Sequence, residues 1–300
     1  MPLPTADATR KGILLMLLAI VLFTTMDALA KGLIGRYPTP QVVWARFAGQ
    51  TLLVLLILQP RRAWQALQSA HPWLHMVRSA CQLGATAFFF TSLGYIGLAE
   101  ATALTDTNPV LITLGAALFL GEKLGLRRIL GVIAAMIGAL IIIRPGLAVF
   151  TPAALLPLGA AVCYTGNALL TRHLGPKEGA ATSLLHAALF GTALTSLALP
   201  FVWQPVPAAD IALFGLLGAL GTGAQLCIIR SFSMAEASVV APFAYLGIVF
   251  ATIWGMVLYH EFPDGWALFG ALVIVIAGLY VWHRETRARH IADKTLQDDP

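Results

Sequence analysis

Charged residues are scarce in this sequence. Asp, Glu, Lys and Arg make up 11% of its 300 residues, whereas soluble domains average about 25%. Apolar residues reach 58%, which leaves too little polar surface to cover a soluble fold of this size. The composition therefore excludes an ordinary soluble domain and favours a membrane protein.

Cysteine is also rare. Cys81, Cys163 and Cys227 lie inside apolar segments, and no two of them have CxxC spacing. This pattern is typical of small core residues and predicts no disulfide framework, metal site or cofactor site. Lys and Arg outnumber Asp and Glu by 19 to 14, but they form no basic stripe with interleaved aromatics, so no nucleic-acid partner is expected.

Long apolar runs dominate the chain. A transmembrane helix needs about 20 such residues, and Pro- and Gly-containing turns separate the runs. The sequence predicts an all-α integral membrane protein with ten transmembrane helices, near residues 12–34, 40–59, 74–97, 100–121, 127–144, 152–173, 181–202, 209–230, 236–259 and 264–283.

The distribution of Lys and Arg predicts the orientation. With the N-terminus inside, fifteen of these residues fall on the cytoplasmic side, and only Lys31, Arg36 and Arg144 fall on the outer side. This asymmetry satisfies the positive-inside rule and predicts that both termini are cytoplasmic. Residues 284–300 are expected to form a polar cytoplasmic tail. The expected location is the cell (plasma or inner) membrane.

Two stretches of the sequence are similar to each other. Residues 99–131 begin with AEAT and residues 235–270 with AEAS, and Glu122 aligns with Glu261 after a three-residue adjustment. These acidic residues lie at helix boundaries and are expected to cap helices or lie at the interface. The repeat predicts two five-span units, residues 12–144 and 152–283. Because five is odd, the second unit must enter from the opposite side of the membrane, an architecture of transporters with a midplane substrate site.

The two units resemble the drug/metabolite transporter superfamily, since each has an AEA(T/S) opening, a proline-bearing helix and a (G/H)E pair before the last span. Within it the chain resembles EamA-type transporters, with YddG-like amino-acid exporters as the nearest subgroup, over residues 12–282. The resemblance implies transport of metabolites, amino acids or drugs through a central cavity, often outward and often proton-linked. The second unit departs from the pattern: Ile248 aligns with Pro109, and Pro242 comes earlier.

Ionisable residues inside a span are costly and are therefore candidates for function. Asp27 and Arg46 are predicted at equal depth near the outer ends of spans 1 and 2, which predicts an ion pair. An offset of 140 residues aligns them with Asn167 and His186, expected at matching depth near the inner side. These four residues are candidates for gating or coupling, and His186 suits proton coupling. A buried pair that only joins two helices is the alternative.

Other polar and aromatic residues lie on faces of spans 3, 4, 6, 8 and 9 that are predicted to meet along one path. Pro109 and Pro242 are expected to kink spans 4 and 9, which is tolerated at this depth beside protein or a water-filled cavity. Each residue could equally serve helix packing. The candidate substrate-path residues are Gln82, Thr86, Phe89, Asp106, Asn108, Tyr164, Thr222, Gln225, Tyr245 and Trp254.

An enzyme is disfavoured, because His260-Glu261 lacks HExxH spacing and no GxSxG motif occurs. The short loops disfavour a receptor or scaffold. The sequence predicts a secondary transporter that exports amino acids or similar small metabolites by alternating access. An importer or a multidrug exporter of the same fold stays open. The expected partners are a small-molecule substrate and membrane lipid, with protons an open question; no cofactor and no metal are expected.

Overall fold

The computed structural model describes residues 6–58, 60–120, 126–144, 151–174, 179–235 and 237–297. Within these ranges the regular structure is helical, and no strand occurs. Two short 3₁₀ helices, Pro152–Leu155 and Ala241–Tyr245, lead into α8 and α12. The helices are α1 (Ala6–Ile34), α2 (Thr39–Ile57), α3 (Pro60–Leu67), α4 (Pro72–Leu93), α5 (Leu98–Thr105), α6 (Asn108–Leu120), α7 (Leu126–Ile143), α8 (Leu156–Leu174), α9 (Ala180–Val202), α10 (Ala208–Met234), α11 (Ala237–Val240), α12 (Leu246–Tyr259) and α13 (Gly265–Gln297).

Several of these helices suit a bilayer. Large apolar side chains point away from the bundle, as at Leu197 and Phe201, which are 69% and 86% exposed. A helix also pairs its backbone polar groups internally, as hydrocarbon surroundings require. Among the described residues, the stretches long and apolar enough to cross a membrane are Asp7–Ile34, Thr39–Ile57, Pro152–Leu174, Ala181–Val202 and Ala208–Met234. Shorter apolar helices cover Ile129–Ile143, Phe243–Tyr259 and Gly265–Tyr280.

Both proline positions that were expected to kink a span lie at interruptions of the α-helix. α5 ends at Thr105, and a two-residue turn separates it from α6, which begins at Asn108. Pro109 is the second residue of α6, where the missing N–H breaks no intrahelical bond. If α5 continued into α6 without interruption, the Pro109 ring would clash with the Thr105 carbonyl group. Pro242 lies within the 3₁₀ helix that precedes α12.

Two elements differ from the sequence expectation. The short helix α3 forms where only a turn was expected, with Ala63 and Ala66 buried and Trp64 66% exposed. At the other end of the chain, α13 continues to Gln297 and covers most of the expected polar tail. α3 combines two Arg residues with apolar ones, and the C-terminal part of α13 combines Arg and Lys with Glu and Asp; long charged side chains are tolerated well in helices.

The two halves of the chain interlock. α1 packs along α10, α2 along α9, α4 along α8 and α7 along α13, so each pair joins one helix from either half. Small residues allow close approach: a Cβ on Gly49 would lie 2.8 Å from the Gly218 Cα, and a Cβ on Gly138 would lie 2.9 Å from the Gly270 carbonyl oxygen. Such contacts are the usual basis of helix packing in membranes.

The largest apolar cluster lies between α1, α2, α4 and α10. Leu33, Phe47, Phe90 and Leu217 are its large fully buried members. Arg46 lies beside this cluster, with its guanidinium carbon 4.8 Å from the centroid of the Phe47 ring, so packed apolar side chains fix the helix that carries it.

Candidate functional site

Arg46 is a buried charge on α2, with 6% of its surface exposed. Its Nη1 donates to Thr86 Oγ1 of α4 at 3.0 Å, and its Nε has no hydrogen-bond partner. Asp27 of α1 interacts with Arg46 electrostatically. The expected close ion pair is nevertheless absent, since the ion pairs of the described residues, with N–O distances up to 4.0 Å, do not include these two. The guanidinium is bonded to α4 instead.

Asp106 lies in the turn between α5 and α6. Its carboxyl group interacts electrostatically with Asp27 of α1, and with the hydroxyl groups of Tyr164 on α8 and Tyr245 on the 3₁₀ helix. The Oδ2 atom is buried without a hydrogen-bond partner. Buried polar atoms are normally paired, so this carboxyl group marks a position where something can bind.

Tyr164 of α8 is the aromatic neighbour of Asp106 with the largest exposed surface. It interacts electrostatically with Asp106 and with Arg78 of α4, both of which lie inside the bundle. Yet 42% of its surface is exposed, and Asp27 and Tyr245 also keep partial exposure. Tyr164 therefore combines electrostatic partners in the bundle with a ring that is partly exposed.

Two more interior side chains carry polar atoms without partners. The Tyr245 hydroxyl is buried and unpaired, and it lies so close to α13 that a Cβ on Gly278 would overlap it. The Trp254 Nε1 is also buried and unpaired. With Arg46 Nε and Asp106 Oδ2, these atoms give the interior both donors and an acceptor that no described residue satisfies.

A chain of hydrogen bonds continues along α4 toward its N-terminal end. Asn167 Nδ2 of α8 donates to Gln82 Oε1, and the Thr171 hydroxyl bonds to Asn167 Oδ1 at 3.2 Å. Arg78 Nε then donates to Thr171 Oγ1 at 2.6 Å, and its Nη1 donates to the Ser183 carbonyl at 3.0 Å. Arg78 is one of the fifteen basic residues counted above on the cytoplasmic side, and it is buried, with 7% of its surface exposed. Its i, i+4 spacing from Gln82 was the available signal.

His186 of α9 stacks on His75 of α4, with ring centroids 4.7 Å apart and planes inclined by 25°. Its Nδ1 lies 2.9 Å from the Thr182 carbonyl oxygen. Asn167 contacts Gln82, two turns away from His75 along α4, or about 10 Å. Asn167 and His186 therefore contact α4 about two turns apart, and their matching depth near the inner side stays a prediction. His75, which is fully buried, was missed because it lies near a helix end.

The remaining predicted path residues do not all reach this group. Thr222 is 2% exposed, and its hydroxyl bonds to the Gly218 carbonyl of its own helix at 2.8 Å, so it contributes to packing. Phe89, Asn108 and Gln225 are half-buried. The structure thus links Arg46, Asp27, Asp106, Tyr164 and Tyr245 through electrostatic interactions, and the path role of the other residues stays a prediction.

A second polar cluster lies at the opposite end of α4. Lys31 Nζ of α1 donates to the carbonyl groups of Leu93 and Ile96 at 2.8 and 2.7 Å and lies 2.8 Å from Glu261 Oε1. Glu261 Oε2 accepts the Leu98 N–H at the start of α5 at 3.0 Å. The expected capping role of Glu261 is confirmed. This cluster joins α1, α4, α5 and the end of α12, and it is called the outer cluster after the side on which the sequence predicts Lys31.

An open cavity of about 790 Å³ adjoins the outer cluster. Next to it, Arg144 Nη2 lies 2.6 Å from Asp264 Oδ2, and the Ala267 N–H donates to Asp264 Oδ1 at 2.7 Å. The Ala267 N–H and the Arg144 guanidinium lower the pKa of Asp264. The polar residues that line this cavity include Lys31, Glu100, Arg144, Tyr259 and Glu261.

Known proteins are similar to this chain over nearly its full length. Residues 10–144 and 151–282 match the EamA-like transporter family. The chain is 30% identical over 276 residues to the pseudopaline exporter of Pseudomonas aeruginosa, covering 90% of this chain and 95% of that protein. It is 29% identical over 279 residues to the riboflavin transporter of Rhizobium johnstonii, covering 92% of each. It is 25% identical over 277 residues to the S-adenosylmethionine uptake transporter of Rickettsia bellii, covering 92% and 95%.

A solved crystal structure has the same fold, with a TM-score of 0.64 over 92% of this chain and 98% of its own, at 21% identity. The family matches and the named relatives indicate a transporter, not an enzyme. The chain is a multi-pass membrane protein that belongs to the EamA-like transporter family.

Proposed function

We propose that this protein is a secondary transporter of the inner membrane that exports amino acids or similar small metabolites by alternating access through a central cavity. The observation that carries the proposal is the set of unpaired buried atoms on Arg46, Asp106, Tyr245 and Trp254. Unsatisfied buried polar groups favour a polar ligand. A guanidinium donor suits a carboxylate, and a carboxylate acceptor suits an amine.

The direction of transport is part of the proposal. The relatives include one named as an exporter and others named as uptake transporters. Import is therefore the second candidate, supported by the uptake relatives. Comparing uptake and efflux of the same labelled solute in cells that express or lack the protein distinguishes the two directions.

We further propose that residues 12–144 and 152–283 form two five-helix repeats of opposite orientation, for ten transmembrane helices. The packing supports this. In the two proposed repeats, α8 occupies the position of α1, and α10 occupies the position of α4. A symmetry operation that exchanges the repeats therefore replaces the α1–α10 contact by the α8–α4 contact, and both contacts are present. The α2–α9 and α7–α13 contacts map onto themselves. The two family matches, over residues 10–144 and 151–282, agree with the same division.

Within this architecture we assign gating or coupling to Asp27 and Arg46, and to Asn167 and His186 on the other side of the centre. Asp106, Tyr164 and Tyr245 are assigned to cargo contact. Support comes from their partners: Arg46 bonds across to α4, Asn167 bonds to α4 from α8, and His186 stacks on α4 from α9. The proposed gates therefore both act on α4.

Counterflow in proteoliposomes tests the substrate assignment. Vesicles loaded with one unlabelled amino acid at a time should accumulate the labelled form faster than protein-free vesicles. Arg46→Ala should lower that rate, whereas Asp7→Asn, at a side chain that is 72% exposed, should not. If none of the amino acids is exchanged, the assignment is rejected.

A further inference from the structure

Asp106 lacks an opposite charge. From α1 it faces Asp27, a like charge, and from α8 and the 3₁₀ helix it faces the phenol groups of Tyr164 and Tyr245. No proton donor satisfies its buried Oδ2. Two neighbouring carboxyl groups in a span are costly when both are ionised.

The interior cations are committed elsewhere. Arg46 donates to Thr86 and faces Asp27. Arg78 donates its bonds to α8 and α9. The N-terminus of α6, two residues beyond Asp106, supplies only a partial positive charge. The described residues thus leave Asp106 short of one unit of positive charge, which a ligand or a proton can supply.

We propose that Asp106 binds the cationic nitrogen of the cargo and that, when no cargo is present, the same carboxyl group holds a proton. The inference rests on the proposed function and adds its coupling step. As the cargo ammonium group docks, the Asp106 O–H bond breaks and the proton passes to water on that side. Where the cargo leaves, the carboxylate takes up a proton from water. One ammonium group is exchanged for one proton.

The surroundings of Asp106 fit an ammonium group. Tyr164 has a ring that is 42% exposed, and Tyr245 has a hydroxyl group without a hydrogen-bond partner; both interact electrostatically with Asp106. Aromatic faces attract cationic nitrogen, and a carboxylate adds a charge-assisted hydrogen bond. The cargo is therefore a small metabolite with a protonated amine, and an analogue with a hydroxyl in place of the amine is a poor substitute.

Infrared absorption of the detergent-solubilised, cargo-free protein tests the proton. At mildly acidic pH the wild type and the matched control Asp7→Asn should show the C=O stretch of a protonated carboxyl group, and Asp106→Asn should lack it. Adding a transported amino acid to the wild type should remove the same band, a result that needs no variant. Absence of the band from the cargo-free wild type, or its persistence in Asp106→Asn, overturns the proposal.

A second experiment tests the amine. The amino acid exchanged fastest in counterflow is compared with its α-hydroxy analogue, and the wild type should prefer the amino acid by about tenfold or more. Asp106→Asn, which keeps the size of the side chain, should lose the preference. Equal exchange of both solutes by the wild type overturns the inference but leaves small-metabolite transport standing. If neither solute is exchanged, the proposed function fails, and the infrared band alone decides on Asp106.

Discussion

Thr86 and Thr222 align at an offset of 136 residues, the offset between AEAT and AEAS, but they differ in one contact. Both hydroxyls bond to the carbonyl four residues earlier, at 3.1 Å to Gln82 and 2.8 Å to Gly218, and Thr86 also accepts a bond from Arg46. Thr86→Val keeps the shape and removes the acceptor of a buried charge, so we expect a loss of about 1–3 kcal/mol of stability. Thr222→Val should lose less. Thermal unfolding in detergent measures both, and equal losses would mean that the Arg46 bond contributes nothing.

Gly278 is a residue whose lack of a side chain is required. A Cβ there would overlap the Tyr245 hydroxyl, whereas a Cβ at Gly215 would meet nothing within 4 Å. Gly278→Ala should therefore displace the Tyr245 ring and destabilise the protein by about 1–3 kcal/mol, as overpacking does, and should slow counterflow. Gly215→Ala, also within a helix, should be neutral or slightly stabilising. Unchanged counterflow and unfolding in Gly278→Ala would contradict this placement of Tyr245.

Single polar residues of the site were predictable, but their grouping was not. Asp27, Arg46 and Asp106 stand out because charge is rare inside apolar runs. The sequence assigned Asp27 to a gate and Asp106 to the path, and the structure places them in one group. That grouping depends on which helix faces which, a tertiary property that no local pattern encodes. For the same reason His75 was missed as the partner of His186.

At the scale of helices, the outer cluster fixes where four of them meet. The Lys31 and Glu261 side chains are 11% and 30% exposed, so removing one partner leaves the other charge poorly compensated. We expect Lys31→Met to lose about 1–3 kcal/mol, below the value for a fully buried pair because solvent screens part of the interaction. The double variant Lys31→Met/Glu261→Gln should lose less than Lys31→Met alone. If the stability loss of the double variant equals the sum of the losses of the two single variants, the two residues are not energetically coupled.

Asp264, just before α13, should make the stability of the protein depend on pH. The Ala267 N–H and Arg144 lower the pKa of Asp264 in the folded state. A carboxyl group whose folded pKa is depressed stabilises the protein above its unfolded pKa of about 3.9, and the contribution is lost as pH falls through the folded pKa. Asp264→Asn should thus unfold at lower temperature at neutral pH and match the wild type in acid. Because this side chain is 47% exposed, we expect a difference below about 1 kcal/mol, and an equal difference at every pH would contradict the assignment.

Interruptions of helices were partly visible in the sequence. Pro109 and Pro242 indicated irregular backbone, because proline lacks an N–H and clashes with the preceding turn. The size of each interruption was not predictable. In the fourth span, a two-residue turn that contains Asp106 separates two helices. α3 was missed, since eight residues with two Arg side chains do not form an apolar run.

For the whole molecule, the helical class and the approximate helix positions follow from apolar run length, which is a local property. The packing of the two halves against each other does not follow from local sequence. It depends on close approach at glycines such as Gly49 and Gly218, and no periodicity distinguishes these glycines from other small residues. The prediction of two repeated units came from AEAT and AEAS, which recur with acidic residues at similar spacing, and the two family matches agree with it. The recurring sequence pattern thus predicted two units, whereas tertiary packing determines which helices of the two halves contact each other.

The orientation of the two units gives the last prediction. An inverted repeat of five-span units requires an even total, so both ends of the chain must lie on the same side. Green fluorescent protein, which folds in the cytoplasm, should fluoresce when fused to either terminus. Alkaline phosphatase, which is active only outside, should be inactive at the C-terminus and active when inserted after Gln204, between α9 and α10. The matched control is an insertion after Gln68, between α3 and α4, which should be inactive. An active phosphatase at the C-terminus together with a fluorescent N-terminal fusion would require an odd number of spans, and the inverted repeat would then be excluded.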